Sequence, residues 1–104
     1  MKELPIACDM TALNVAQRER QQVLMVKFHA SIQETEELDD GYAFRFEADA
    51  ATILAAAEFI TIERLCCPFL TFELAVGAAG DPLWLKISGR EGVKQFIEAE
   101  FGVG

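Results

Sequence analysis

Three cysteines carry the chemistry this sequence offers, and two of them are adjacent. The run Glu63-Arg64-Leu65-Cys66-Cys67-Pro68-Phe69 sets a carboxylate three and four positions ahead of two thiols. A helix advances about 100° per residue, so Glu63 lies on the same face as both sulfurs. Two soft sulfur ligands and an oxygen ligand form part of a set for zinc or a softer ion such as mercury. On an undistorted helix, neighbouring cysteines diverge too far to grip one ion. Pro68 relieves this, because the residue before a proline is pushed out of helical conformation and Cys67 can swing.

Electrostatics separate the three thiols. Cys66 and Cys67 fall at the C-terminal end of a predicted helix, where the backbone dipole disfavours thiolate. Cys8 stands just before a predicted helix start, where thiolate is favoured. If the fold brings Cys8 to the Cys66-Cys67 pair, two sites arise. One is a three-thiol pocket for a soft metal ion. The other is a redox or thiol-transfer pair with Cys8 as nucleophile. A packing role stands beside both, since free cysteine is among the most buried residue types.

Other candidates carry less. His29 is the single histidine, which excludes a zinc site built on several imidazoles and leaves His29 as a surface or capping residue. Glu34, Glu36, Glu37, Asp39 and Asp40 lack the spacing of a calcium loop and read as a solvated hairpin. Ser88-Gly89-Arg90-Glu91-Gly92 reads as an ordinary strand-to-helix turn rather than an anion cradle. Phe72 and Trp84 read as sheet-face aromatics.

The elements that must position these residues follow from hydrophobic period and punctuation. Residues 1–10 form an arm, with Asp9 or Thr11 as the cap of a helix from Thr11 to about Ala30. Leu13, Ala16, Arg20, Val23, Leu24 and Phe28 mark its inner face, and the polar run Gln17 to Gln22 its wet side. Two strands follow, joined at Asp39-Asp40-Gly41, where Gly41 is free to take positive φ. Tyr42, Phe44 and Phe46 alternate along the second of them. Asp49 caps a helix to about Cys66, apolar enough to be covered on more than one flank. Two further strands, 70–76 and 83–88, precede a short helix carrying Val93, Phe96, Ile97 and Phe101, ended by Gly102. Strand, turn, strand, helix thus occurs twice. The expected fold is α+β: an N-terminal helix, then two hairpin–helix units forming a four-stranded antiparallel sheet backed by helices on one face. The second face would be covered by the first helix or by a second copy of the chain.

Composition bounds the function. At 104 residues, 52% of them hydrophobic, a single domain with a real core is expected over 1–104. The net charge of −8 repels phosphate backbones and anionic lipid, so neither nucleic acid nor membrane is an expected partner. Residues 1–10 lack the apolar core of a signal peptide, and no apolar run is long enough to span a bilayer. A cytoplasmic location with reduced thiols, rather than a disulfide framework, is the expectation.

The segments Glu-Arg-Leu-Cys-Cys-Pro-Phe at 63–69 and Gly-Arg-Glu-Gly-Val-Lys-Gln-Phe at 89–96, with Ala-Cys-Asp-Met-Thr-Ala-Leu at 7–13 and Asp-Gly-Tyr-Ala-Phe-Arg-Phe-Glu-Ala-Asp at 40–49, resemble a family of short bacterial proteins marked by Glu-Arg-x-Cys-Cys-Pro-Phe. Some members are linked to metal-responsive regulators. The resemblance spans most of the chain and implies that Cys8, Glu63, Cys66, Cys67 and Pro68 are motif positions. It implies no substrate or activity. Arg90 stands where that family usually has proline, a departure confined to the start of the last helix. Residues and resemblance together point to a small thiol-bearing protein that binds a soft metal ion, zinc or mercury, through Cys8, Glu63, Cys66 and Cys67. The alternatives are the thiol redox role of Cys8 and a non-catalytic homodimer module with packing cysteines.

Overall fold

A computed structural model of the chain describes residues 5–103. Residues 1–4 of the expected arm lie outside the described residues. The fold is α+β. A one-turn 3-10 helix, Met10–Ala12, leads to helix α1 (Val15–Ser31), strands β1 (Glu34–Leu38) and β2 (Gly41–Phe46), and helix α2 (Ala50–Cys66). Strands β3 (Thr71–Val76) and β4 (Leu83–Ser88) and helix α3 (Val93–Phe101) complete it. The strands form one antiparallel sheet in the order β1-β2-β4-β3.

The expected single helix from Thr11 is two elements. Asp9 accepts from the Thr11 backbone N–H and caps only the 3-10 turn. Asn14 caps α1, closing a reciprocal pair with Gln17 that satisfies two orphan backbone donors. The α1 face that meets the core also differs from expectation. Leu24 and Phe28 are buried and Gln17 and Gln21 half-buried, whereas Ala16, Arg20 and Val23 are exposed. Gln17, Gln21, Leu24 and Phe28 stand at helical spacing, so the inner face begins polar and ends apolar.

Phe28 fixes that rotation. Its ring lies 5.0 Å from Phe44, 5.4 Å from Phe46, 5.0 Å from Phe59 and 5.5 Å from Phe101. One side chain of α1 therefore touches β2, α2 and α3. Such aromatic clusters combine large buried area with preferred ring geometries. Helix α2 buries Phe59, Ile62, Glu63 and Cys66 but leaves Leu54 and Leu65 exposed. It meets α1, the 3-10 turn and β3, so more than one flank is covered, as its apolar sequence predicts.

Register explains why the second sheet face has no helical cover. Tyr42, Phe44 and Phe46 align with Ile87, Leu85 and Leu83, and these with Phe72, Leu74 and Val76. The intervening residues place Arg45 beside Glu34 and Lys86 beside Glu73, each pair with a 3.3 Å ion contact. A polar face of this kind is stable against water. The first helix does not cover it.

Gly41 is required for a reason other than the expected positive φ, which among the described residues belongs to Gly80, Gly92 and Gly102. A Cβ on Gly41 would fall 2.0 Å from the Ile87 carbonyl oxygen and 2.7 Å from the Ser88 Cα. Gly41→Ala is therefore expected to push β2 from β4 and cost about 1–3 kcal/mol, as overpacking does. The shift of the urea midpoint against wild type measures it.

Candidate metal centre

The arm reaches the end of α2 through contacts of its own. The Asp9 backbone N–H donates to the Cys66 carbonyl at 2.7 Å. That bond satisfies one of the carbonyls a helix leaves open at its C-terminus. Ile6 packs against the core, with its Cδ1 2.9 Å from where a Cβ on Gly92 would stand. Leu13, buried just after the 3-10 turn, pins the other side. Between these anchors Cys8 faces Cys67.

Pro68 acts as the sequence predicts. Helix α2 stops at Cys66, and Cys67 takes φ −127° and ψ 65° while its N–H still donates to the Glu63 carbonyl at 2.7 Å. Leaving the helical path turns the Cys67 side chain toward Cys66, and the two sulfurs lie 3.4 Å apart. Phe69 anchors the corner edge-on against Phe96 at 4.9 Å.

Cys8 and Cys67 are joined in a disulfide of 2.05 Å across 59 positions of sequence, and Cys66 is the free cysteine among the described residues. The expectation of three reduced thiols does not hold. Cysteine count and expected compartment do not report how close two distant thiols come once the chain folds. All three sulfurs lie within 4.8 Å of one another. They form a triangle.

The dipole ranking of the thiols is also revised. Cys8 precedes a single 3-10 turn rather than a long helix, so it gains little from a helix dipole. The Cys66 thiol is pushed up to about 12, first by burial and then by the neighbouring Glu63 charge and hydrogen bond. The weak acidity expected at a helix end is present, but desolvation is its main cause.

Glu63 is buried, at 2% exposure. It accepts from Gln21 Nε2 at 3.2 Å and from the Cys66 thiol at 3.5 Å, both through Oε2. Burial lifts its carboxyl above the usual range, Gln21 and Cys66 pull it back, and the Glu100 charge adds to the rise. No arginine or lysine contact to this carboxylate is seen among the described residues. A buried carboxylate held by an amide and a thiol is costly alone and suited to a cation.

A cleft opens beside the sulfurs, lined by Ile6, Cys8, Met10, Gln21, Glu63 and Glu100. It gives solutes a path to Cys8 and Glu63. Of the four residues singled out in the sequence, Cys8, Cys66 and Cys67 thus meet at one corner, and Glu63 reaches it through its contact with Cys66. Gln21 and Glu100 escaped sequence reading. Gln21 sits inside the polar run taken as the wet side of α1, and its spacing from Leu24 and Phe28 was the available signal. Glu100 gave none, because only the docking of α3 brings it near.

Comparison with protein-family models, curated proteins and solved structures finds no match. The site is therefore read from its own geometry. No helix among the described residues is long and apolar enough to cross a membrane. His29 is exposed on α1, and Glu34, Glu36, Glu37, Asp39 and Asp40 are exposed or at the hairpin tip, all of them outside the sulfur cluster.

Glu63→Gln is expected to have opposite effects on fold and on site. A carboxyl whose folded pKa is raised contributes stability below its unfolded pKa and loses it as pH rises through the folded value. At neutral pH a buried carboxyl with a raised pKa costs stability, so the neutral amide should stabilise the metal-free protein by about 1–3 kcal/mol. The gain should shrink as pH falls toward the unfolded carboxyl value. Denaturation of both proteins across acid and neutral pH measures this, and a gain independent of pH would contradict it.

Proposed function

We propose that the reduced protein captures one soft divalent metal ion, of the zinc or mercury class, with Cys8, Cys66 and Cys67 as thiolate ligands and Glu63 as the oxygen ligand. The observation that carries this reading is the sulfur triangle beside a buried carboxylate. A tetrahedral ion with metal–sulfur bonds of about 2.3 Å holds its sulfurs about 3.8 Å apart, and its sulfur and carboxylate oxygen about 3.5 Å apart. Cys66 and Cys67 stand at 3.4 Å, and Cys66 and the Glu63 oxygen at 3.5 Å. Once the disulfide is reduced, Cys8 and Cys67 need to part by a side-chain adjustment only.

The chemistry of the donors agrees with that geometry. A thiol with its pKa near 12 makes a poor free nucleophile at neutral pH, but a metal ion deprotonates the thiol it binds. Gln21 fixes the Glu63 carboxylate as an outer partner, the usual way ligand orientation is held. The net charge of −8 and the nearby Glu100 favour approach of a cation. The resemblance to Glu-Arg-x-Cys-Cys-Pro-Phe proteins linked to metal-responsive regulators adds support. A compartment in which thiols are kept or cycled to the reduced form, such as the cytoplasm, suits the reading.

Titration of the reduced protein with zinc and with mercury, followed by native mass spectrometry, tests it. One ion per chain is expected, and Cys66→Ser and Cys67→Ser should each weaken or abolish the adduct. Failure of the reduced wild-type protein to take up either ion overturns the reading.

A further inference from the structure

We propose that the Cys8–Cys67 disulfide is a closed state of this metal centre, so that a hydroperoxide switches metal capture off and a dithiol reductant switches it on. The inference rests on the metal reading above and concerns its regulation. The same two sulfurs that would complete the ligand triangle are joined to each other. A sulfur in a disulfide is a poor metal ligand compared with thiolate. With the bond closed, Cys66 is the one thiol left at the corner, and a single thiol with one carboxylate is half of a tetrahedral set.

The arm is what makes the switch reversible. It has anchors besides the disulfide. The Asp9 N–H to Cys66 carbonyl bond, the packing of Ile6 at Gly92 and the burial of Leu13 hold it through contacts that involve neither bonded sulfur. Cys8 therefore stays beside Cys66 and Cys67 in the reduced protein. A third ligand is held in place, and the disulfide can re-form without a search by the chain.

Access assigns the order of steps. Cys8 lines the cleft, whereas Cys67 is 1% exposed. The Cys8 thiolate attacks a hydroperoxide oxygen. An S–O bond forms, the O–O bond breaks, and an alcohol, or water from hydrogen peroxide, leaves with one proton. Cys67 then attacks the Cys8 sulfur of that sulfenic acid, displacing its oxygen as water and forming the disulfide. Two thiols and one hydroperoxide give one disulfide, one alcohol and one water, and the bound ion loses two of its ligands. A dithiol reductant reverses the step, becoming a disulfide itself.

The test uses the reduced full-length chain loaded with zinc. One equivalent of hydrogen peroxide should lower titratable thiols from three to one per chain and release zinc in the same proportion. Peptide mapping should find Cys8 joined to Cys67, and dithiothreitol followed by zinc should restore the adduct. Cys66→Ser should still form the Cys8–Cys67 bond, since it keeps both partners. Zinc retained by the crosslinked chain overturns the switch and removes Cys8 and Cys67 from the ligand set, whereas a crosslink between other cysteines or between chains overturns the switch and leaves the metal site standing. A reduced protein that binds no zinc overturns both.

Discussion

Reduced protein carrying Cys66→Ser is expected to bind zinc roughly 100-fold more weakly than wild type. Structural zinc sites contribute about 10–16 kcal/mol over four ligands, so one thiolate accounts for about 3 kcal/mol. Cys66 is the ligand best suited to this test. It takes no part in the disulfide, so the substitution leaves the Cys8–Cys67 link untouched in oxidised protein. It is also fully buried, and serine fills nearly the same space. Competition with a chromophoric chelator gives the affinity. Wild-type affinity should rise with pH, because the Cys66 thiol, pushed up to about 12 by burial and Glu63, must give up its proton to the incoming ion. An affinity unchanged by Cys66→Ser would remove that sulfur from the site. The remaining ligands would then be Cys8, Cys67 and Glu63.

Breaking the disulfide is expected to lower the free energy of unfolding by about 4 kcal/mol, the loop-entropy value for a crosslink spanning 59 positions. Cys8→Ser should show the loss under oxidising conditions. Wild type in a dithiol reductant should match it, and the reductant should not change Cys8→Ser further. The loss is a large share of the 5–15 kcal/mol typical of small domains. Zinc should return part of it to the reduced wild type, about 2.7 kcal/mol at a free ion concentration 100 times its dissociation constant. Urea denaturation of both proteins, oxidised, reduced, and reduced with zinc, measures both terms. A loss below about 1 kcal/mol would mean that the arm adds little constraint to the unfolded chain. Restoration by zinc in Cys8→Ser equal to that in wild type would remove Cys8 from the metal set. Disulfide and metal would thus stabilise the same corner by alternative means, each closing the arm onto the end of α2.

Much of the fold was legible in the sequence because its signals are local. Tyr42, Phe44 and Phe46 alternate, as do Leu83, Leu85 and Ile87, and every one of them is buried. Pro68 ends α2 and Asp49 starts it, through backbone effects that need no distant partner. The N-terminal boundary fails for the opposite reason. Asp9, Thr11 and Asn14 are all competent caps, and choosing among them depends on where the arm is held. Gly41 reads as a turn glycine in sequence because nothing local shows β4 lying against it.

For the site, the sequence alone determined the ligand types and the corner. Glu63, Cys66, Cys67 and Pro68 are close along the chain, and helical spacing with a proline stop suffices to group them. Only the tertiary structure decided the rest. Cys8 is separated from Cys67 by 59 positions, and it arrives because Ile6, Asp9 and Leu13 find partners on other elements. Gln21 turns inward because Phe28, seven residues on, is locked among rings from β2, α2 and α3. Burial, not the helix dipole, sets the acidity of Cys66 and Glu63. Burial is a property of everything packed around a group, and no local stretch of sequence contains it.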